Sequence, residues 1–363
     1  MTIVYFILIL VVLILVHEFG HFIAAKAFGI RVDEFGIFFP PRIAAIKKGE
    51  TEYSINWLPF GGFVKIFGEN AGEGLDDPRS FAHKNRWVQA TVLVAGIVFN
   101  LLFAWLVLSA GYMVGLPTPV DHQGFGTVTD AQATVVDVLP GSPADKAGLL
   151  AGDTIETVQT ATVVEASNAT ANDVQQFIAA HADESVVLTV LRDGSEKTFL
   201  AKPAEGVVAG RKAVGIELDD VGTLRLPPQL AVLQGAVLGW DITQSTAVGL
   251  ATFFKQLVTG TANFSQVSGP IGITAFGAAA LKAGFAEGAV LTALISVNLA
   301  LINIIPIPGL DGGRLFITAI EGIIRRPISP KIVNGLTLAG FAFLILLMLV
   351  VSYHDIARLT HPS

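Results

Sequence analysis

The chain has 363 residues, of which 52% are hydrophobic and only 15% are charged, and its mean hydropathy is +0.63. Soluble domains carry about 25% charged residues, so much of this surface is expected to face lipid. The formal net charge of −7 gives no reason to expect a nucleic-acid partner. The absence of cysteine excludes disulfides, a thiolate metal site and a cysteine nucleophile, so any metal must be held by His, Asp and Glu.

Four apolar segments approach or exceed the roughly 20 residues that a helix needs to cross a bilayer. They predict transmembrane helices at 1–28, 88–116, 289–310 and 333–353. The first segment has no Lys or Arg at its start and no small-residue cleavage site, which argues against a signal peptide. A fifth stretch, 229–258, is apolar on average but is interrupted by polar residues, which favours an interfacial helix over a crossing.

The distribution of basic residues predicts the orientation. Residues 26–87 hold nine Lys and Arg in 62 positions, whereas 117–288 hold nine in 172. The positive-inside rule therefore places the loops 29–87 and 311–332 in the cytoplasm, and the N-terminus and the long middle region outside. A fifth crossing at 229–258 would reverse the third apolar segment and contradict the basic loops.

The middle region has the pattern of a soluble α/β domain. Strand alternation, a Pro-Gly-Ser-Pro turn, two helices and a hairpin are predicted in turn, at 134–139, 140–143, 144–147, 173–181 and 186–200. This order, with the run SPADKAGLLAGDTI, resembles a PDZ domain. We predict that domain at 128–203, and a linker with the interfacial helix at 204–288.

The strongest motif is V-H-E-F-G-H at 16–21, which has the form H-E-x-x-H. On a helix, His17 and His21 project from one face and can share a zinc ion, with Glu18 beside them to act as a general base. A catalytic zinc needs a third protein ligand and one open position. Ionisable residues inside an apolar segment are costly and are functional by default, which argues against a chance match.

A second motif, N-I-I-P-I-P-G-L-D-G-G at 303–313, closes the third apolar segment. Pro306 and Pro308 remove backbone donors and should break the helix, and the glycines allow a tight backbone around Asp311. Such irregular backbone at membrane depth needs protein or water around it; the alternative is an ordinary turn just beyond the membrane. Both motifs lie toward the cytoplasmic ends of parallel segments, so one metal site could form between them.

Taken together, these motifs resemble the site-2 protease family, in particular its bacterial regulator of sigma-E protease branch. The resemblance implies a mainly α membrane protein, with a core of four transmembrane helices and an inserted extracytoplasmic PDZ domain. It implies His17, His21 and Asp311 as zinc ligands and Glu18 as the catalytic base. Asn303 matches an asparagine that is thought to hold the substrate backbone near the metal.

Two further segments compare less closely with that family. Residues 59–69 look like its membrane-associated β-hairpin, which would make Gly62, Phe63, Val64 and Lys65 a substrate-binding edge through strand addition. A plain surface hairpin is the alternative. G-I-V-F-N at 96–100 departs from the family pattern, because Ile97 stands where a proline usually follows the glycine.

The resemblance implies hydrolysis of peptide bonds inside single-pass membrane proteins of the bacterial cell membrane, such as trimmed anti-sigma factors or remnant signal peptides. One rival hypothesis is a catalytically silent membrane scaffold with a PDZ domain, but a scaffold needs none of His17, Glu18, His21 and Asp311. Another is a metal-ion transporter, which predicts polar residues along successive helices. The second and fourth apolar segments are almost bare of them.

Overall fold

The computed structural model describes most of the chain, namely residues 2–70, 73–74, 76–161, 163–165, 169–192, 194–208, 210–261, 269, 272–274, 277, 280–281 and 284–360. The elements in chain order are α1 (Thr2–Ala27), β1 (Val32–Lys48), β2 (Thr51–Ile66), α2 (Arg86–Val114), β3 (Leu116–Pro119), β4 (Thr129–Val138), α3 (Pro143–Ala147), β5 (Thr154–Gln159), β6 (Val164–Glu165), α4 (Ala171–Ala180), β7 (Val186–Arg192), β8 (Ser195–Ala201), β9 (Ala204–Val208), β10 (Arg211–Ala213), β11 (Ile216–Leu224), α5 (Pro228–Thr259), α6 (Phe285–Ile304), α7 (Asp311–Ile324) and α8 (Pro330–Thr360).

Four of the described helices, α1, α2, α6 and α8, are long and apolar enough to cross a membrane. Large apolar side chains on α8 are widely exposed, among them Leu338 at 72% and Leu346 at 61%. Apolar surface of this extent is stable against lipid but not against water. The prediction of a multi-pass membrane protein with four apolar helices is therefore confirmed.

Helix α5 is 32 residues long and is not one of those four helices. Its sequence carries Gln234, Asp241, Gln244 and Lys255 at intervals along its length. The interfacial position that we expect for it stays a prediction.

The predicted third span, 289–310, is wrong at both ends, because α6 covers Phe285–Ile304. Ile305 is already extended, with φ −65° and ψ 136°, and Pro306 has no N–H to continue the helical hydrogen bonds. Gly309 has φ +103°, a conformation that side-chain-bearing residues rarely adopt. Asp311 then begins the new helix α7 instead of ending the old one.

The β-hairpin of the first loop is much longer than the predicted segment 59–69. Residues 49–50 form its turn, and residues 59–66 are only the last part of β2. Phe35 in β1 pairs with Val64 on one side and with Tyr53 on the other. The paired segments therefore follow the order 44–48, 51–55, 34–37 and 62–66, which leaves 62–66 at one edge.

The chain divides into two compact units, residues 1–109 with 235–360, and residues 110–234. In the first unit, the hairpin packs directly on α1. A Cβ on Gly62 would lie 2.7 Å from Leu15 Cδ2 of α1 and 2.9 Å from the backbone oxygen of Gly36, so the space between α1 and the hairpin favours a glycine. Ala25 and Val32 are fully buried in a cluster that also contains Val92 of α2.

The second unit is built on a seven-stranded sheet with the order β3-β11-β4-β5-β7-β8, and β6 pairs with β5. Its core lies between this sheet and α4, and includes Val135, Val174 and Leu188, each at 0% exposure. Helix α4 begins with a capping box, in which Thr170 and Asp173 each satisfy a backbone N–H of the other. The fold is thus richer in β structure than the "mainly α" prediction allows.

The predicted boundary of the inserted domain, 128–203, is also wrong, because residues 204–224 form three strands and not a linker. Strand β11 lies inside the sheet, paired with β4 on one side and with β3 on the other. Its Asp220 accepts a hydrogen bond from the N–H of Ala171 at the start of α4 (2.8 Å). The domain therefore needs strands from both flanks of the predicted range.

Candidate metal centre

The two histidines of the H-E-x-x-H motif lie on one face of α1, one helical turn apart. Both are buried, each with 6% exposure. Their rings meet edge to face with centroids 4.8 Å apart, and their Nε2 atoms are 3.2 Å apart. The four-residue spacing of a helix alone produces this convergence.

Helix α2 supports both imidazoles from behind. His21 Nδ1–H donates to the carbonyl oxygen of Val92 (2.8 Å), which leaves its Nε2 free for a metal. A Cβ on Gly96 would lie 2.5 Å from His21 Nε2 and 2.8 Å from His17 Cε1. The helices approach this closely because Gly20 of α1 also has no side chain to collide with Ala95.

Asp311 reaches the histidines from the far end of the chain. Its Oδ2 lies 2.9 Å from His17 Nε2 and 3.2 Å from His21 Nε2. Side chains on Gly312 and Gly313 would come within 2.3 Å of the Ile304 oxygen and 2.2 Å of the Ile307 oxygen. The paired glycines therefore let α7 begin against the backbone that ends α6, and this places Asp311.

These three residues fit a tetrahedral metal. Their ligand atoms form a triangle with sides of 2.9, 3.2 and 3.2 Å. Metal–nitrogen and metal–oxygen bonds of about 2.0–2.1 Å place the ligand atoms of a tetrahedral site about 3.3 Å apart, close to these values. Burial by itself raises the pKa of Asp311, but its close contacts with the two histidines outweigh it and hold this pKa below its usual range. A carboxylate that stays ionised beside two imidazoles is a suitable donor set for a divalent cation.

Glu18 lies beside the metal-binding face and contacts the hairpin. Its Oε2 accepts a hydrogen bond from the backbone N–H of Val64 (3.0 Å). Val64 belongs to the edge segment 62–66, and its N–H points away from its partner Phe35. The edge that was predicted to bind substrate is thus in direct contact with the predicted base.

The model of the M50 family of peptidases matches residues 5–347 of this chain. The chain belongs to peptidase family M50. A Clostridium perfringens protein named as a zinc metalloprotease is 35% identical over 357 residues, which cover 98% of each chain. A similarly named protein of Clostridium acetobutylicum is 32% identical over 346 residues, 95% of this chain and 94% of the relative. Zinc metalloprotease RasP of Bacillus licheniformis is 28% identical over 438 aligned positions and 99% of both chains.

Membership of family M50 confirms the resemblance to site-2 proteases and the prediction of a peptidase enzyme. It covers both motifs, since the match begins before His17 and ends after Asp311. It also speaks against the scaffold and transporter hypotheses.

The structure does not bring every predicted site residue of this M50 peptidase to the metal-binding cluster. Asn303 is half-buried in the last turn of α6, and within the described residues it has no recorded hydrogen bond to either histidine or to Asp311. Phe63 pairs with Gly36, and Lys65 is exposed and pairs with Glu34. These residues border the site through the hairpin edge.

Two residues near the centre were given no role from sequence. Asn100 of α2 is fully buried against His17. Glu69, just after β2, pairs with Arg314 of α7 at 3.7 Å. Its side chain is 30% exposed. Partial loss of hydration raises the pKa of the Glu69 carboxyl group, and the charge of Arg314 partly opposes this shift. Only the proximity of each to a motif could have signalled them.

Proposed function

We propose that this M50 peptidase is a zinc-dependent intramembrane protease that hydrolyses peptide bonds within transmembrane segments of single-pass membrane proteins. The observation that carries the proposal is the convergence of His17, His21 and Asp311 from α1 and α7, on which one divalent cation would complete a three-ligand site. The zinc metalloprotease names of the relatives support zinc as that cation.

Each side chain then has one task. His17, His21 and Asp311 would hold the zinc, which would supply Lewis acidity at the scissile carbonyl and lower the pKa of a water molecule. Glu18 accepts the proton of the attacking water and passes it to the leaving amide nitrogen. Glu18 is half-buried beside the cluster, and the backbone N–H of Val64 holds its carboxylate in place.

The hairpin edge would present the substrate. A transmembrane helix satisfies its own backbone hydrogen bonds, so its peptide bonds are accessible only after it unwinds. The outward backbone groups of Gly62 and Val64 can pair with such an unwound segment by strand addition, and the substrate would then replace Glu18 as the partner of the Val64 N–H. Phe63 and Lys65 flank that edge, and we assign Asn303 to the substrate backbone on the family resemblance alone.

We further propose that the unit 110–234 is a PDZ-like module on the extracytoplasmic side of a bacterial cell membrane. A cavity of about 180 Å³ lies between α4 and the start of β11, lined by Gln175, Ile178, Val214 and Gly215. It would bind or exclude the outer parts of substrates, such as anti-sigma factors already trimmed by another protease or remnant signal peptides. The basic loops 29–87 and 311–332 support this orientation.

The proposal is tested by reconstituting the full chain in liposomes with a single-pass reporter. We expect the wild type to cleave within the reporter's transmembrane segment and to contain about one zinc per chain. Glu18→Gln should lower cleavage by about 100- to 10,000-fold, the range that general acid–base groups contribute, while it keeps the zinc. Asp311→Ala should lose both zinc and cleavage.

The matched control is Glu73→Gln, which changes an exposed carboxylate whose recorded partner is Asn70. It should leave zinc content and cleavage as in the wild type. Wild-type protein without zinc, or full cleavage by Glu18→Gln, would contradict the proposal.

A further inference from the structure

Asn100 lies in the middle of α2, within the segment G-I-V-F-N, and is 0% exposed. Its side-chain Nδ2 lies 3.3 Å from Nδ1 of His17. Its backbone oxygen accepts a hydrogen bond from the hydroxyl of Ser296 in α6 (2.8 Å), and Ser296 is also fully buried. The asparagine is therefore held in place between α1 and α6, inside the first unit.

One atom of this amide has no partner. Among the described residues, Oδ1 of Asn100 is one of two buried side-chain polar atoms without a hydrogen bond. Buried polar groups are nearly always paired, so an orphaned acceptor next to a catalytic cluster calls for an explanation. His17 Nδ1 lies 3.3 Å from the amide nitrogen of Asn100 and could pair with Oδ1 if the amide turned.

The two ring nitrogens of His17 determine what the amide does. In the observed arrangement Nδ2–H of Asn100 donates to Nδ1, so the imidazole proton sits on Nε2 and points at Asp311. A metal at Nε2 requires this nitrogen to be unprotonated, which moves the proton to Nδ1. A half-turn of the amide then brings Oδ1 to Nδ1 as an acceptor, because the two ends of an amide have nearly the same shape.

His21, the neighbouring proposed ligand, also has a partner from α2 for its Nδ1, in this case a backbone carbonyl. His21 Nδ1–H donates to the carbonyl of Val92. Val92, Gly96 and Asn100 are spaced by four residues on α2 and so form one stripe facing the histidines. The Val92 carbonyl and the Asn100 amide thus face the two imidazoles, and Gly96 between them has no side chain to obstruct the rings.

We propose that Asn100 is a positioning residue for the metal centre, whose amide oxygen accepts the Nδ1–H of His17 and fixes the ring with Nε2 toward the metal. This inference rests on the proposed zinc site and goes beyond it by naming what orients His17. Outer partners of this kind orient the ligands of many metal sites, and their loss lowers metal affinity about 10- to 100-fold.

The test compares zinc affinity of the full chain in detergent, measured by competition with a chelator. Asn100→Leu, which keeps the approximate volume without an acceptor, should weaken zinc binding by about 10- to 100-fold. Asn100→Asp keeps an oxygen acceptor and should bind zinc within about threefold of the wild type, as carboxylate partners do in other sites. The visible spectrum of cobalt-loaded protein should change in Asn100→Leu and be restored in Asn100→Asp.

Ser109→Ala is the matched control, because it removes a buried polar group of the same helix whose hydroxyl donates to Trp105. It should leave affinity and spectrum unchanged. Equal affinity and spectra for wild type and Asn100→Leu would overturn the inference, as would an Asn100→Asp variant that binds as weakly as Asn100→Leu. A wild type that binds no zinc would instead refute the proposed function.

Discussion

Gly96 lies where two imidazoles leave no room for a side chain. A Cβ there would come within 2.8 Å of both His17 and His21, and Gly20 of α1 packs equally closely on the backbone of Ala95. Glycine weakens a helix interior by about 0.5–1 kcal/mol relative to alanine. Here that cost is offset by the close approach that carries Val92 and Asn100 to the histidines.

Gly96→Ala should therefore displace at least one imidazole, destabilise the protein by about 1–3 kcal/mol through overpacking, and lower zinc affinity. Zinc competition and thermal unfolding measure the two effects. The control is Gly249→Ala in α5, where an added Cβ meets nothing within 4 Å and the residue is exposed. The control should unfold at the same or a higher temperature. Unchanged zinc affinity in Gly96→Ala would contradict the packing argument.

The hairpin edge 62–66 and helix α1 are joined by a hydrogen bond at the predicted catalytic base. The N–H of Val64 is satisfied by Glu18 and not by another strand. A substrate strand that pairs with this edge would take over that donor and leave the carboxylate free to accept a proton. The edge would then bind the substrate strand and at the same time free the Glu18 carboxylate from its hydrogen bond with Val64.

Val64→Pro removes this N–H, and hydrogen bonds to charged groups contribute about 1.5–3 kcal/mol. We expect its kcat/KM for a single-pass reporter to fall by about 10- to 100-fold with zinc content unchanged. Val64→Ala keeps the N–H and should stay within about threefold of the wild type. Equal activity of the two variants would rule out a role for this backbone donor.

The sequence predicted those elements whose signals are local. Helical spacing predicted that His17 and His21 lie on one face, and composition predicted the four apolar helices. Pro306 indicated a break in the third of these helices. The long hairpin was underestimated, because the pairing of residues 34–37 with two other segments is not encoded by any short pattern. The contact of Asn100 with His17 was likewise invisible, since 83 residues separate the two.

On the scale of the whole molecule, the unit 110–234 carries its own core and its own sheet. Strand β11 lies between β3 and β4, and its Leu218 is part of that core. The range 128–203 omits both β3 and β11, and so exposes the edge of β4 and one side of the core. Such unpaired edges favour aggregation.

A fragment of residues 115–226 should therefore unfold cooperatively when heated, as followed by circular dichroism, because it contains every strand of the sheet. The matched fragment 128–203 should lack a cooperative transition or aggregate. If the shorter fragment unfolded as cooperatively as the longer one, β11 would be dispensable and the boundary drawn here would be wrong.

The hydrogen bond between His17 and Asp311 spans 294 positions of the chain. A ribosome that has inserted α1 into the membrane must still add nearly the whole protein before the third ligand emerges. On the proposed assignment, the nascent chain is inert during all of that time, although its first two ligands are among the earliest residues made. With these ligands, the peptidase would be unable to attack newly inserted membrane proteins until its own synthesis is almost finished.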